Sequence, residues 1–248
     1  LCTQGRSILR LLFGPMLPGG QESRAILHMH SAYYRALSPK DKRVFEQHVG
    51  DLLEEKQWIG RGGPVTMEMR LRISAAIAQV TFGLGNLLLM HFSRIAVYPD
   101  AYRNPRTGRM HLGEVAPGAG LLVLSWKHFL EGFEEPNDGL NVALHEVAHA
   151  LWFENTIPNG EDDFLDAREL SRWRSLAAEE ADRIRQGQGR LLRRYAATDQ
   201  AEFFAVAVEY FFEQPEAFRD RMPDLYGSLS ALLKQDPAKA LAPDLQNI

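Results

Sequence analysis

Apolar side chains recur every three or four residues in several long segments, the spacing that places them on one face of an α-helix. The first predicted helix begins after Ser38, a favourable N-cap residue, with Pro39 in its first helical position. A second helix is predicted from Thr66 to His91, with a bend near Gly83 and Gly85. Four further helices are predicted over residues 140–153, 166–186, 199–213 and 223–234. Helix is therefore expected to dominate the fold.

Two short segments in the middle of the chain have the composition of β-strands. Residues 95–98 read Ile-Ala-Val-Tyr and end at Pro99, and residues 121–126 are a second apolar run. The stretch between them, 101–119, is rich in Gly, Pro and Arg and is predicted to be hairpin or loop. The predicted fold class is α+β, mostly helical, with a small central β-sheet and an N-terminal helical layer.

The helix predicted at 140–153 follows a clear start signal. A Pro-Asn-Asp-Gly sequence precedes it, and Asn137 or Asp138 is the predicted N-cap. The strand predicted at 121–126 comes shortly before this helix. A strand edge in that position can hold an extended peptide by backbone pairing.

Composition and charge narrow the class of protein. The chain has 248 residues, with 28 Lys and Arg against 32 Asp and Glu, for a net charge of −4. This slightly acidic balance argues against a nucleic-acid-binding protein. Because Cys2 is the only cysteine, the chain cannot form an internal disulfide, which suits a reducing compartment, and we expect a cytoplasmic protein. We predict one domain over residues 31–248, preceded by an extension at 1–30.

Two apolar segments are candidate membrane elements. The run from Ile8 to Leu17 is too short to span a bilayer. The segment from Ile73 to Phe92 lacks charged residues and is long enough, but it contains several polar side chains and two glycines. It is interpreted as a buried core helix, so no stable membrane insertion is expected.

The segment Leu144-His145-Glu146-Val147-Ala148-His149 has the H-E-x-x-H pattern on a predicted helix. Four residues make just over one helical turn, so His145 and His149 project from one face and can bind one cation. Imidazole nitrogens suit Zn²⁺, and Glu146 lies beside the metal face, where it can take a proton from a zinc-activated water. The alternative is a pair of partly buried histidines on an amphipathic helix, and a third ligand is needed to decide.

A catalytic zinc ion needs three protein ligands and an open fourth position. No histidine follows His149, so the third ligand is expected to be a carboxylate. The candidates are Glu154, Glu161, Asp162, Asp163, Asp166, Glu169, Glu202 and Glu209. The acidic group at 161–166 lies in a polar stretch and is expected to face solvent.

Glu202 and Glu209 are the best candidates because both lie among apolar residues on one predicted helix. They are seven residues apart, or two turns, so their carboxylates share one face. A buried carboxylate must be paired, protonated or bound to a metal. Glu202 is the first choice, although it also fits a capping box with Asp199. Glu209 is an alternative ligand, or an acceptor that holds a ligand imidazole by its other nitrogen.

Two features lie just before this helix. The hydroxyl of Tyr195 can donate a hydrogen bond to the oxyanion of a tetrahedral intermediate, although packing is the ordinary role of a tyrosine. Arg190, Arg193 and Arg194 form a small basic cluster, interpreted as a solvated face or as partners of the acidic stretch.

Three segments together form a recognisable pattern. They are Ile95-Ala96-Val97-Tyr98-Pro99, the segment from Asn141 to His149, and the run YAATDQAEFFAVAVEYFF from Tyr195 to Phe212. With these motifs the chain resembles the Mlc titration factor A family of zinc-dependent peptidases. The resemblance covers roughly residues 33 to 238, and the last motif is the most distinctive.

The resemblance implies a mostly helical zincin fold, related to the catalytic domain of a lethal-factor-type toxin. It implies one Zn²⁺ per chain, with His145, His149 and Glu202 as ligands and Glu146 as the catalytic base. It also supports an assisting role for Tyr195.

The predicted function is therefore that of a zinc-dependent peptidase, and the family implies an aminopeptidase-like activity on small substrates. A Glu base and a zinc-activated water are expected to hydrolyse the peptide bond. The alternative is a regulatory binding protein that sequesters a transcriptional repressor, because the best-studied type of the family binds such a repressor. In that case catalysis is secondary or absent.

Overall fold

The computed structural model describes residues 17–85, 87–104, 108–135, 138–156 and 164–240. Cys2 and the predicted apolar run before Leu17 lie outside the described residues. So do Asn137, one of the two predicted N-caps, and the ligand candidates Glu161, Asp162 and Asp163.

The N-terminal part of the described chain is a helical layer, as predicted, and it contains four helices. They are α1 (Gln21–His30), α2 (Ala32–Ala36), α3 (Pro39–Glu55) and α4 (Met67–Thr81). The side chain of Ser38 accepts a hydrogen bond from the backbone N–H of Asp41, so the predicted N-cap of α3 is confirmed. Helices α1 and α2 were not predicted. Helix α4 is buried from Leu71 to its end at Thr81, which agrees with a core helix.

The prediction that α4 continues to His91 is wrong, because the helix ends at Thr81. A single 3₁₀ turn follows at Phe82–Leu84. Gly83 packs against another part of the backbone: a Cβ atom at this position would lie 2.1 Å from the carbonyl oxygen of Leu233. Gly85 then takes a φ of +80°, a conformation that favours glycine. The two glycines end the helix rather than bending it.

A buried lysine stabilises the non-helical segment that follows. The Nζ atom of Lys56 donates to the carbonyl oxygens of Leu88 at 2.6 Å, Leu89 at 2.7 Å and Phe92 at 2.9 Å. These three bonds use all the donors of an ammonium group. They also occupy carbonyl groups that a continuous helix would use for its own hydrogen bonds.

The central sheet has four strands in the order β1-β2-β6-β5. The strands are β1 (Gln57–Gly60), β2 (Arg94–Tyr98), β5 (Gly113–Ala116) and β6 (Leu121–Ser125), and a separate hairpin joins β3 (Tyr102–Arg103) to β4 (Met110–His111). Strand β2 pairs in parallel with β1 and β6, whereas β5 pairs antiparallel with β6. Both predicted strands are confirmed, and β1 was not predicted.

The expectation that the strand at 121–126 offers a free edge is wrong. Strand β6 lies between β2 and β5, so both of its edges are paired. Strand β5 is the edge strand instead, and within the described part of the chain no strand pairs with its outer side. The strand β6 ends at Ser125 because this side chain caps the next helix.

Seven α-helices follow the sheet in the part of the chain that the structure describes. They are α5 (Trp126–Glu134), α6 (Val142–Glu154), α7 (Ala167–Arg185), α8 (Gln200–Glu213), α9 (Pro215–Arg221), α10 (Pro223–Leu233) and α11 (Pro237–Ala240). The four helices predicted in this region correspond to α6, α7, α8 and α10. The predicted cap of α6 is wrong: the side chain of Asn141 accepts from the backbone N–H of Leu144, and Asn141 therefore caps the helix in place of Asn137 or Asp138.

Helices α6 and α8 pack against each other in the core, and α6 also contacts β5 and β6. The segment from Phe203 to Phe212 is buried throughout. Each fully buried phenylalanine contributes about 2–3 kcal/mol of transfer free energy, so this packing holds the two helices firmly together. The α+β prediction, with a small mixed sheet in a mostly helical fold, is confirmed. No helix in the described ranges combines the length and the apolar character needed to cross a membrane.

Candidate metal centre

The spacing of the two histidines on α6 brings their rings together. The Nε2 atoms of His145 and His149 lie 3.1 Å apart, and the two rings are nearly perpendicular at 83°. His149 is buried, and the side chain of His145 is 13% exposed. Both nitrogens therefore face one point at the surface of α6, as the one-turn spacing predicts.

Helix α8 supplies the third group. Glu202 Oε2 lies 3.2 Å from His145 Nε2 and 3.4 Å from His149 Nε2. Asp199 caps α8 by accepting from the backbone N–H of Glu202 at 2.9 Å. Asp199 therefore forms its half of the predicted capping box. The Glu202 carboxylate does not form the other half, because it faces the two histidines.

The three groups fit a divalent cation. A tetrahedral ion with ligand bonds of about 2.1 Å keeps its ligand atoms about 3.4 Å apart, close to the separations among His145, His149 and Glu202. Glu202 Oε2 is buried, and no group in the described ranges donates a well-aligned hydrogen bond to it. A cation between the oxygen and the two nitrogens would satisfy it. Among the described residues, this is the one cluster of His, Cys, Asp and Glu side chains that could hold a metal ion.

The electrostatics of the cluster favour the charged form of its acid. Burial by itself raises the pKa of Glu202, but the two imidazoles lower it well below its usual range. Burial by itself lowers the pKa of His145, but the adjacent carboxylates of Glu202 and Glu209 raise it to about 9. A proton on His145 competes with a metal ion, so metal affinity is expected to decrease as the pH falls.

Glu209 lies behind His145, outside the cluster. Its Oε1 atom is 2.6 Å from His145 Nδ1, on the ring edge opposite Nε2. Of its two predicted roles, the geometry therefore agrees with the acceptor that holds an imidazole and not with the ligand. The other candidates lie elsewhere: Glu154 accepts from the backbone N–H of His91, and Asp166 caps α7.

Arg193 was not identified as part of the site. It pairs with Glu209, at 2.6 Å from Nη2 to Oε1. The interpretation of the three arginines as one solvated face is therefore wrong for Arg193. Arg190 and Arg194 are exposed, although Arg190 also pairs with a buried acid, Glu180, at 2.8 Å. The sequence did contain a signal for Arg193: Glu209 lies on an apolar helix, and a buried carboxylate there requires a positively charged partner.

Glu146 is buried and packs against the edge strand β5. A Cβ atom at Gly113 of β5 would lie 2.5 Å from Glu146 Cγ, so only glycine leaves room for the carboxylate. Burial raises the pKa of Glu146 to about 7. The side chain can therefore exist in both protonation states near neutral pH.

Tyr195 approaches the cluster from the 3₁₀ turn at Arg194–Ala197. Its hydroxyl donates to Glu202 Oε1 at 2.9 Å, and the residue is 50% exposed. Burial of the hydroxyl and its bond to Glu202 raise the pKa of Tyr195, which keeps it a hydrogen-bond donor.

A cleft of about 600 Å³ opens beside these side chains. His145, Glu146 and Tyr195 line it together with Leu112 and Leu140. Both leucines are exposed, at 41% and 54%, so the cleft combines apolar walls with the polar cluster. The arrangement can hold an extended chain next to a cation and a proton acceptor.

A further acid lies behind the cleft. Glu213 is buried and accepts from Asn141 Nδ2 at 3.1 Å. Burial raises the pKa of Glu213 to about 7, more than the bond from Asn141 lowers it. Because this pKa is higher in the folded than in the unfolded chain, the free energy of unfolding should fall as the pH rises from about 4.5 to about 7.

The substitution Glu213→Gln is expected to remove this loss of stability at high pH, because glutamine does not ionise. At pH 8 the variant should be more stable than the parent chain by about 1–3 kcal/mol, with a smaller difference at pH 5. Glutamine keeps an oxygen for Asn141, so the contact survives. Thermal unfolding at both pH values measures the effect, with Glu216→Gln on an exposed acid as the control. An equal pH dependence of stability in the variant and the parent chain would contradict the assignment.

Comparison with known proteins gives consistent matches. A family model described as glucose-regulated metallo-peptidase M90 matches residues 17–234. An uncharacterized protein of Synechocystis sp. is 31% identical over 219 residues, which cover 82% of this chain and 80% of that protein. Mlc titration factor A of Serratia proteamaculans is 30% identical over 226 residues (83% and 85%), and that of Edwardsiella ictaluri is 33% identical over 193 residues (71% and 72%).

Proposed function

The chain belongs to the glucose-regulated metallo-peptidase M90 family, and on this premise we propose that it is a zinc-dependent peptidase with His145, His149 and Glu202 as the metal ligands. The resemblance to the Mlc titration factor A family is confirmed. The observation that carries the proposal is the set of three ligand atoms, 3.1 to 3.4 Å apart, at the side of a cleft that also contains Glu146. Two imidazoles and one carboxylate are a typical ligand set of catalytic zinc.

Glu146 is the proposed general base. When bound, a zinc ion supplies Lewis acidity, which makes water more acidic and polarises a carbonyl group. The carboxylate of Glu146 accepts the proton of the attacking water and delivers it to the nitrogen of the leaving amine, so it ends the cycle as it began.

Tyr195 is the proposed second catalytic residue. Its hydroxyl is neutral and half-exposed, and it reaches the cluster through Glu202. When a substrate carbonyl gains negative charge beside the cluster, the same hydroxyl can turn and donate to that oxygen. The bond to Glu202 holds the hydroxyl close by until then.

The edge strand β5 is the proposed binding place for the substrate backbone. Its outer side is unpaired in the described chain, and Gly113 lies directly against Glu146. A peptide that pairs with this strand would pass next to the general base.

The aminopeptidase mode is supported by the charge of the cleft. Glu131, Glu135 and Asp138 line it, and such carboxylates attract the free α-ammonium group of a peptide. The apolar walls at Leu112 and Leu140 suit an uncharged side chain next to that group.

An assay on matched substrates tests the function. Short peptides with a free amino terminus should be hydrolysed at least about tenfold faster than the same peptides with an acetylated terminus, since acetylation removes the charge that the acidic wall attracts. Chelation of the metal should abolish both activities, and added Zn²⁺ should restore them. Undiminished hydrolysis by the fully chelated protein would refute the metallopeptidase proposal, whereas equal rates on both peptides would refute only the aminopeptidase mode.

A second function is suggested by the relatives whose name, Mlc titration factor A, describes the titration of Mlc. We propose a transcriptional repressor protein as a partner of this chain as well, on that ground alone. Co-purification with a repressor that persists after chelation and in a Glu146→Gln variant would favour binding over hydrolysis. The cytoplasmic location and the domain division at residue 30 stay predictions.

A further inference from the structure

We propose that Arg193 is a positioning residue of the metal centre, which acts through Glu209 to orient His145 and through the chain to place Tyr195. The inference rests on the proposed metal site, and it concerns residues that do not contact the ion. It assigns a role to a side chain that the sequence grouped with solvated arginines.

The contacts of Glu209 are the first step. Oε1 accepts from His145 Nδ1 at 2.6 Å and from Arg193 Nη2 at 2.6 Å. Oε2 accepts from the backbone N–H of Asn141 at 2.7 Å and from Arg193 Nη1 at 3.2 Å. Each oxygen thus receives two bonds, and the side chain of Glu209 is only 2% exposed. A carboxylate with four donors around it has one possible orientation.

This orientation determines which nitrogen of His145 carries a hydrogen. A carboxylate surrounded by a guanidinium and a backbone N–H offers His145 only an acceptor, so Nδ1 must be the donor. In the neutral ring, the Nε2 atom then presents its lone pair to the cluster, 3.2 Å from Glu202 Oε2. An imidazole in this form is ready to bind a metal ion.

Arg193 is the donor that makes the arrangement rigid. Its fork contacts both oxygens of Glu209, and Nη1 also donates to the carbonyl oxygen of Gly139 in the loop before α6. One guanidinium therefore joins the start of α6 to α8. A lysine has no fork and cannot contact the same three atoms in fixed geometry.

The position of Arg193 in the chain adds a second effect. It lies two residues before Tyr195, whose hydroxyl donates to Glu202 Oε1. By holding its own segment against Glu209, Arg193 fixes the start of the 3₁₀ turn that carries Tyr195. The same contact therefore supports both a ligand imidazole and the proposed oxyanion donor.

Arg190 offers a matched control. It also donates to a buried acid, from Nε and Nη2 to Glu180 Oε2 at 2.9 and 2.8 Å, but neither residue touches the metal centre. The variants Arg193→Gln and Arg190→Gln each lose one ion pair with a buried glutamate, so their effects can be compared directly. Each removes an arginine from a buried glutamate, and only one of them affects His145.

The test measures the affinity of the full chain for Zn²⁺ alone, by competition with a coloured chelator, beside thermal unfolding. Arg193→Gln is expected to weaken Zn²⁺ binding about 10–100-fold, the usual effect of losing a residue behind a ligand. Arg190→Gln should lower the unfolding temperature without changing the affinity. Wild-type affinity in a folded Arg193→Gln variant, or an equal loss in Arg190→Gln, would overturn the proposal.

One further measurement and one further variant make the test decisive even if zinc does not bind or the glutamine variant does not fold. Long-range ¹H–¹⁵N spectra of the chelated protein, recorded at a pH above the pKa of His145 (about 9) so that its ring is neutral, report the tautomer of His145: the parent chain should show the Nδ1–H form, and Arg193→Gln a mixture. This readout does not need a bound metal, so it separates a failure of this proposal from a failure of the zinc assignment. If the glutamine variant does not fold, Arg193→Lys replaces it, and an unchanged tautomer and affinity there would overturn the proposal.

Discussion

Replacing Glu146 with Gln is expected to abolish peptide hydrolysis while zinc remains bound. The amide has nearly the same shape as the carboxylate, so it fits the space beside Gly113. It cannot accept a proton from the attacking water, and loss of a general base costs about 10²–10⁴-fold in rate. The turnover number on a free-amino-terminus peptide and the zinc content of the same sample measure the two parts of the prediction.

A second buried glutamate on the same helix provides the control. Glu154 is buried like Glu146, but it contacts the backbone of His91 and not the cleft. The variant Glu154→Gln should keep the rate of the parent chain within a few-fold, although its stability falls. If Glu146→Gln retained full activity with zinc bound, another residue would have to accept the proton and the assignment would be wrong.

Replacing Glu202 with Ala is expected to remove both the metal and the activity. The substitution leaves two ligands of the proposed three, and a catalytic zinc site needs three from the protein. The loss of Zn²⁺ affinity should exceed the roughly 10–100-fold expected for a residue that acts from behind a ligand. Metal analysis after dialysis against a weak chelator, together with the peptide assay, measures it.

Tyr195→Phe is the matched control for this experiment. It removes the hydrogen bond to the same carboxylate, at Oε1, and leaves Oε2 facing the two imidazoles. This variant should therefore retain zinc, and its lower activity should appear in the turnover number. A Glu202→Ala protein that still bound one zinc ion as tightly as the parent chain would show that this carboxylate is not a ligand.

Local patterns predicted much of the fold, and the particular residues show why. Ser38 and Asp199 are helix caps, and each acts on a backbone N–H only three residues later. The two histidines of the H-E-x-x-H motif share a face because one helical turn separates them. Such signals depend on the neighbouring sequence alone, so they hold wherever the helix forms.

Other elements depended on distant parts of the chain and were missed. Helix α4 ends at Thr81, just before Gly83 packs against the backbone of Leu233. Lys56 then donates hydrogen bonds to the carbonyl groups of the following segment. The apolar run itself continues beyond this point, so its pattern predicted more helix. The central position of strand β6, between β2 and β5, is a similar case. The residues of a strand do not reveal which strands will pair with it.

The sequence by itself determined the helix that carries the two proposed imidazole ligands, His145 and His149, and the position on it of Glu146, the proposed general base. Residue chemistry favoured Glu202 over Glu209 as the third ligand without excluding Glu209, and the resemblance to a family strengthened that choice. The tertiary structure placed Glu202 opposite the imidazoles, Glu209 behind one of them, and Arg193 against Glu209. The physical reason is the range of the interactions: helical spacing is set within a few residues, whereas the distance between α6 and α8 is set by the packing of the core.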